Sequence, residues 1–166
     1  MPERVINAIA CYRTKMPELD APSVRLATSA DTEAILQLVD ALADYESLAR
    51  PTAEAKKRLA ADMGKRFDAW IAQVDGKAAG YAFVFETYSS FLALPTLYLE
   101  DLFVLPEYRS RKVGLALFTE MLEEAKRRGC GRMEWTVLDW NELAINFYKR
   151  AGAEHMKAWH HYRIVL

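Results

Sequence analysis

The chain has 166 residues, about one domain by the usual length prior, and its 52% hydrophobic fraction is ample for one packed core. Its 22 basic and 23 acidic side chains nearly cancel, so the basic excess expected of a nucleic-acid binder is missing. Two lone cysteines, Cys11 and Cys130, show neither CxxC nor Cys/His spacing, which argues against a disulfide framework and a metal site and fits a reducing cytoplasm.

Residues 1–22 lack signal-peptide anatomy: the apolar part, Val5 to Cys11, is short and is followed by Arg13 and Lys15. They are read as an arm outside the core, and 23–166 as a single domain. Nowhere does an apolar run reach the ~18–20 residues of a membrane span. Ser23–Ala27 alternates and predicts a first strand. Thr28 and Asp31 resemble a capping box, with Ile35, Leu38, Val39, Leu42 and Tyr45 following at helical spacing. Pro51-Thr52 opens a second helix that ends near Met63-Gly64. Strands are predicted over Trp70–Val74 and Ala78–Thr87, joined by an Asp75-Gly76 turn. The stretch from Leu97 to Leu105 is apolar except for Glu100 and Asp101, as in a central strand. A strong helix spans about Arg111–Arg128, stopped by Gly129 and Gly131. A strand over Arg132–Leu138, a helix over Asn141–Arg150 and a strand over Trp159–Leu166 complete the order. Hairpins mixed with two β-α-β crossovers imply a mixed α/β sheet.

Two segments carry chemistry. The first is Val104-Leu-Pro-Glu-Tyr-Arg109-Ser-Arg-Lys-Val-Gly114-Leu-Ala116, where a basic turn opens the strongest helix. A helix start leaves N–H groups unpaired and presents a positive dipole end, which suits a diphosphate. A basic helix start with a glycine for close packing remains the alternative. The second segment is Asn141 to Tyr148. Asn141, Ala144, Ile145 and Tyr148 fall on one helix face, as reacting groups or as a cap followed by core packing.

The Arg109–Ala116 turn resembles the acyl-CoA loop of the GNAT superfamily of N-acetyltransferases, [Q/R]-x-x-G-x-[G/A]. Aligned from Arg109, Lys112 stands at a usual glycine position; aligned from Arg111, Gly114 and Ala116 fit the pattern fully, but the preceding Tyr-Arg favours the first register. Asn141–Gly152 resembles the superfamily's N-x-x-A-x-x-x-Y-x-x-x-G helix. Tyr98-Leu-Glu-Asp-Leu-Phe-Val104 and Leu42-Ala-Asp-Tyr-Glu46 resemble segments of the spermidine/spermine (diamine/thialysine) acetyltransferases. The resemblance implies a GNAT fold, with a mixed central sheet of six to seven strands flanked by about four helices. It implies acetyl-CoA as co-substrate, held by Leu102, Phe103, Val104, Arg109, Ser110, Arg111, Lys112, Val113, Gly114, Leu115, Ala116, Asn141 and Ala144, and no metal.

By the same resemblance Tyr148 protonates the leaving thiolate, Glu100 acts as base through water and binds the ammonium, and Tyr45 and Glu46 contact the amine. A homodimer is implied as well; the cysteine usage points to the cytoplasm, and the charge balance and short apolar runs to no nucleic-acid or membrane partner. An alkyl amine near pKa 10.4 is neutral in only about one molecule in 10³ at pH 7, so a base is required. Alternation along a strand puts Glu100 and Asp101 on opposite faces, one toward the cleft and one in structural contacts. The acidic stretch of the animal polyamine enzymes is shortened here to Glu154–Trp159, which leaves thialysine and diamines open as substrates. A peptide N-terminal or lysine acetyltransferase and a non-catalytic acyl-CoA-binding module are the alternatives.

Overall fold

The computed structural model describes residues 21–166. The arm expected over 1–22 lies almost wholly outside the described residues. Two compact units form, one running to Thr136 and the other from Val137 to Leu166.

In the first unit, β1 (Ser23–Leu26), β2 (Asp68–Val74), β3 (Lys77–Ser89), β4 (Leu94–Val104) and β5 (Arg132–Glu134) form one five-stranded sheet in chain order. Neighbours are antiparallel except β4 and β5, which run parallel. The crossover between that parallel pair is α3 (Val113–Arg127); α1 (Thr32–Tyr45) and α2 (Ala53–Asp62) lie between β1 and β2. Only this β4–α3–β5 connection is a parallel crossover among the described residues.

Local chemistry sets the ends of these elements. Asp31 accepts from the Thr28 N–H and hydroxyl at 2.8 and 2.9 Å and takes a bidentate Arg25 at 2.7 Å. Those donors hold its carboxyl well below the usual range, with the Arg25 hydrogen bond as the largest cause. Thr52 caps α2 by accepting from the Ala55 N–H at 3.2 Å. Asp75 and Gly76 both adopt positive φ, 52° and 72°, as a two-residue hairpin turn requires.

α1 covers one sheet face, where Ile35, Leu38, Ala69, Ile71, Tyr81, Phe83 and Phe103 form a buried cluster. α3 packs across β2, β3 and β4 and buries Val113, Leu117, Phe118, Met121 and Ala125. At the end of α3, Arg128 reaches Glu124, Asp68 and Glu86 and so joins the helix to β2 and β3.

The second unit holds α4 (Glu142–Arg150). Asn141 caps it by accepting from the Ala144 N–H at 3.2 Å, and Gly152 follows at φ 86°. Two expected strands differ. The one over Arg132–Leu138 stops at Glu134, and that over Trp159–Leu166 does not form. Tyr162, Ile164 and Val165 are exposed there, and a strand needs a neighbour to take its backbone hydrogen bonds.

Candidate active site

The β3–β4 register slips between Phe83 and Val84: Phe83 opposes Asp101, whereas Val84 opposes Leu99. Glu100 is therefore the extra residue of a β-bulge. The alternation expected of Glu100 and Asp101 breaks at that point, and the two carboxylates share one sheet face. Asp101 accepts the Tyr81 hydroxyl at 3.0 Å, and Glu100 joins Phe83 and Phe85 in lining a cleft of about 310 Å³ with Leu59, Arg66 and Phe67. A bulge re-aims side chains and is over-represented beside active sites.

The two acids occupy different surroundings. Glu100 is exposed, and no described residue gives it a hydrogen bond or ion pair. Asp101 is half-buried, and burial pushes its carboxyl up to about 6; the Tyr81 bond lowers it, while nearby Glu100 and Glu46 raise it further. Tyr81 is fully buried, and its phenol is held far above the usual range by that burial and by Asp101, so it stays protonated and donates. Glu46, just past the end of α1, is likewise raised by burial. Glu46, Glu100, Asp101 and Tyr81 thus make one electrostatic neighbourhood that favours a bound cation.

Beyond Tyr98, β4 runs on to Val104 while its pairing with β5 has ended. Leu102, Phe103 and Val104 therefore lie on a stretch with β3 on one side only among the described strands. An extended chain bearing amides could pair along such an edge.

Past Val104 the chain makes a short turn, Pro106–Tyr108, and enters the basic loop. Ser110 and Lys112 are both left-handed, each with φ 64°, and Lys112 is the N-cap of α3. The glycine-like backbone is thus retained with lysine in place. A left-handed residue followed by a helical one turns successive N–H groups into an anion-binding concavity. The first-turn N–H groups of Val113, Gly114 and Leu115 lack an intrahelical acceptor, whereas Ala116 donates to the Lys112 carbonyl at 2.9 Å. A methyl on Gly114 would meet only Val104 Cγ2, at 3.6 Å, so packing within the protein does not require glycine there. The open space and the N–H groups fit a diphosphate.

The cations diverge. Arg111 faces Asp75 at 3.7 Å. Arg109 turns back: its Nε donates to the Val104 carbonyl at 3.2 Å, and its guanidinium lies 4.4 Å from the Tyr45 ring centroid and 5.9 Å from that of Phe103. This stack and the Arg66 wall of the cleft were not read from the sequence, because both depend on non-local neighbours.

In the second unit, Asn141, Ala144, Ile145 and Tyr148 share a half-buried face of α4. Burial pushes the Tyr148 phenol up to about 12, so it keeps its proton across the neutral range. Among the described residues there is no cluster suited to a metal ion and no helix long and apolar enough to cross a membrane.

The acetyltransferase (GNAT) family profile matches residues 35–153. L-Ornithine N5-acetyltransferase NATA1 of Arabidopsis thaliana is 44% identical over 85 residues, covering 51% of this chain and 37% of that protein. Thialysine N-epsilon-acetyltransferase of Sus scrofa is 31% identical over 157 residues, covering 84% of this chain and 90% of that one. An aminoglycoside N-acetyltransferase, AAC(6')-Iy, solved in complex with CoA, superposes with a TM-score of 0.73 at 22% identity, covering 86% of this chain and 94% of that one, which speaks to fold alone. The chain belongs to the GNAT acetyltransferase family and is an N-acetyltransferase with acetyl-CoA as its co-substrate.

Proposed function

We propose that the acceptor is a small primary amine, a diamine, polyamine or thialysine-like molecule, that attacks directly in a ternary complex on one domain over 23–166. The observation that carries this reading is the Glu100 cleft, a carboxylate among aromatic and aliphatic walls with Asp101 and Glu46 nearby. Such a cleft attracts an ammonium through charge and through ring faces. Its volume sits at the low end for ligand pockets, about 300–1,000 Å³, which suits a small molecule better than a peptide. Relatives named for L-ornithine and thialysine support the same reading.

Acetyl-CoA, when bound, supplies the activated acetyl group. The loop from Arg109 through Ser110, Arg111, Lys112, Val113, Gly114 and Leu115 to Ala116 would hold its diphosphate. Leu102, Phe103 and Val104 would line the pantetheine, with Asn141 and Ala144 contacting the same arm. Glu100 binds the incoming ammonium and takes its proton through water. Tyr45 and Glu46 orient the rest of the amine. Tyr148 carries a proton on its phenol oxygen for the departing thiolate, whose pKa is near 8.5. A homodimer in the cytoplasm belongs to the same reading.

The test is release of free CoA thiol with a panel of diamines, polyamines, thialysine, and peptides with free termini or lysines. Turnover with small amines and not peptides is expected. Turnover with peptides alone, or tight acetyl-CoA binding without turnover, overturns the proposal.

A further inference from the structure

The last eight residues carry strand-forming side chains and have no strand to join. Trp159, Tyr162, Ile164, Val165 and Leu166 are all exposed, Trp159 by 74% and Ile164 by 87%. No strand forms over 159–166, although aromatic and β-branched residues favour one. A run of exposed apolar side chains of this kind marks an interaction surface.

The sheet has a matching gap. β5 is the last strand in the order, three residues long, and its outer edge has no neighbour among the described strands. The chain beyond it, 135–138, does not continue the strand, and Val137 and Leu138 are exposed. Such an edge presents N–H and C=O groups with which an extended segment can pair. Charge agrees with that pairing. Lys157 and Arg163 lie on or beside the segment, and Asp139 and Glu142 lie just past the edge. None of the four makes an ion pair among the described residues.

Segment and edge each lack what the other offers, and the single chain, described through Leu166, pairs neither. Each copy carries one segment and one edge. Two copies that trade segments therefore close about a two-fold axis with neither left over, the low-cost route of strand exchange. We infer that two copies of this chain exchange their C-terminal segments: residues 159–166 of each add as a strand to the outer edge of β5 in the other, and β5 lengthens toward Leu138. The inference rests on the homodimer reading and gives it a surface.

Light-scattering mass across a dilution series, with backbone amide hydrogen exchange at the same concentrations, tests it on the full chain. The expected mass is twice the 18.9 kDa of one chain. Amides within 135–138 and 159–166 should be protected in the dimer and lose protection together on dilution. Consecutive N–H groups point to opposite sides of a strand, so one of Ile164→Pro and Val165→Pro removes a ladder N–H from both exchanged strands. That variant should raise the dimer dissociation constant about tenfold or more. Both side chains are exposed in the single chain, so neither change takes from its core. A dimer whose two segments exchange rapidly, a dimer indifferent to both proline variants, or protection that survives dilution to the monomer overturns the inference and leaves the homodimer reading standing. A monomer at every concentration overturns both.

Discussion

Asp101 combines two opposing demands: its oxygen accepts the buried Tyr81 hydroxyl, yet burial disfavours its charge and lifts its carboxyl to about 6. The folded state therefore holds this proton more tightly than the unfolded chain. Stability contributed by the neutral form is present below the ordinary carboxyl range and is lost as pH rises through about 6. Asp101→Asn keeps an oxygen for Tyr81 and removes the charge. It should stabilise the protein at pH 8 by about 2–3 kcal/mol and by almost nothing near pH 4, read by urea unfolding at both pH values. An equal gain at both would mean that charge burial is not the cause. Lys112 carries a different cost. Its left-handed backbone is strained for a residue with a Cβ. Lys112→Gly should raise unfolding free energy by about 0.5–1 kcal/mol while raising the acetyl-CoA KM, because the strain and the ammonium leave together. A thermal melt and a KM measurement separate the two effects. The sequence marked Lys112 as a departure from the family pattern, but a lysine by itself gives no sign of φ 64°.

At the scale of elements, β4 shows where period-two reading breaks. Glu100 and Asp101 were legible as the two acids of an apolar strand, but their faces were not. Register is a property of two strands, and the slip opposite Phe83 and Val84 is visible only once β3 is paired. The helices were more legible, since caps and apolar spacing act within a few residues: Thr52, Asn141 and the Thr28–Asp31 box all stand at helix starts. The Arg109–Tyr45 stack ties the basic loop before α3 to the end of α1. Tyr45→Leu removes the ring face and should raise the acetyl-CoA KM about fivefold, from a cation–π contact of about 1 kcal/mol, although Tyr45 lies outside the loop. Tyr45→Phe keeps the face and should leave that KM unchanged. A rise with both variants would instead assign the effect to the hydroxyl.

For the whole molecule, the family was legible because its motifs are short and continuous, while the strand count was not, because apolar alternation over 159–166 names no partner strand. The same division governs the two proton-carrying groups. Tyr148 was singled out by its motif; the raised Asp101 carboxyl emerged only from its folded surroundings. Their raised values, about 6 and about 12, bracket the working range. Asp101 ionised beside Glu100 strengthens the field on an ammonium, so the ratio of wild-type kcat/KM to that of Asp101→Asn should rise through pH 6. Tyr148→Phe should lower kcat with the acetyl-CoA KM nearly unchanged. Taking the wild-type-to-variant ratio cancels the titration of the amine itself, near pKa 10.4, leaving only what the phenol contributes. Because burial keeps that phenol protonated, the ratio should stay level from about pH 6 to about pH 10. A decline beginning near pH 9 would show a phenol losing its proton within the working range, and unchanged kcat would remove Tyr148 as the acid.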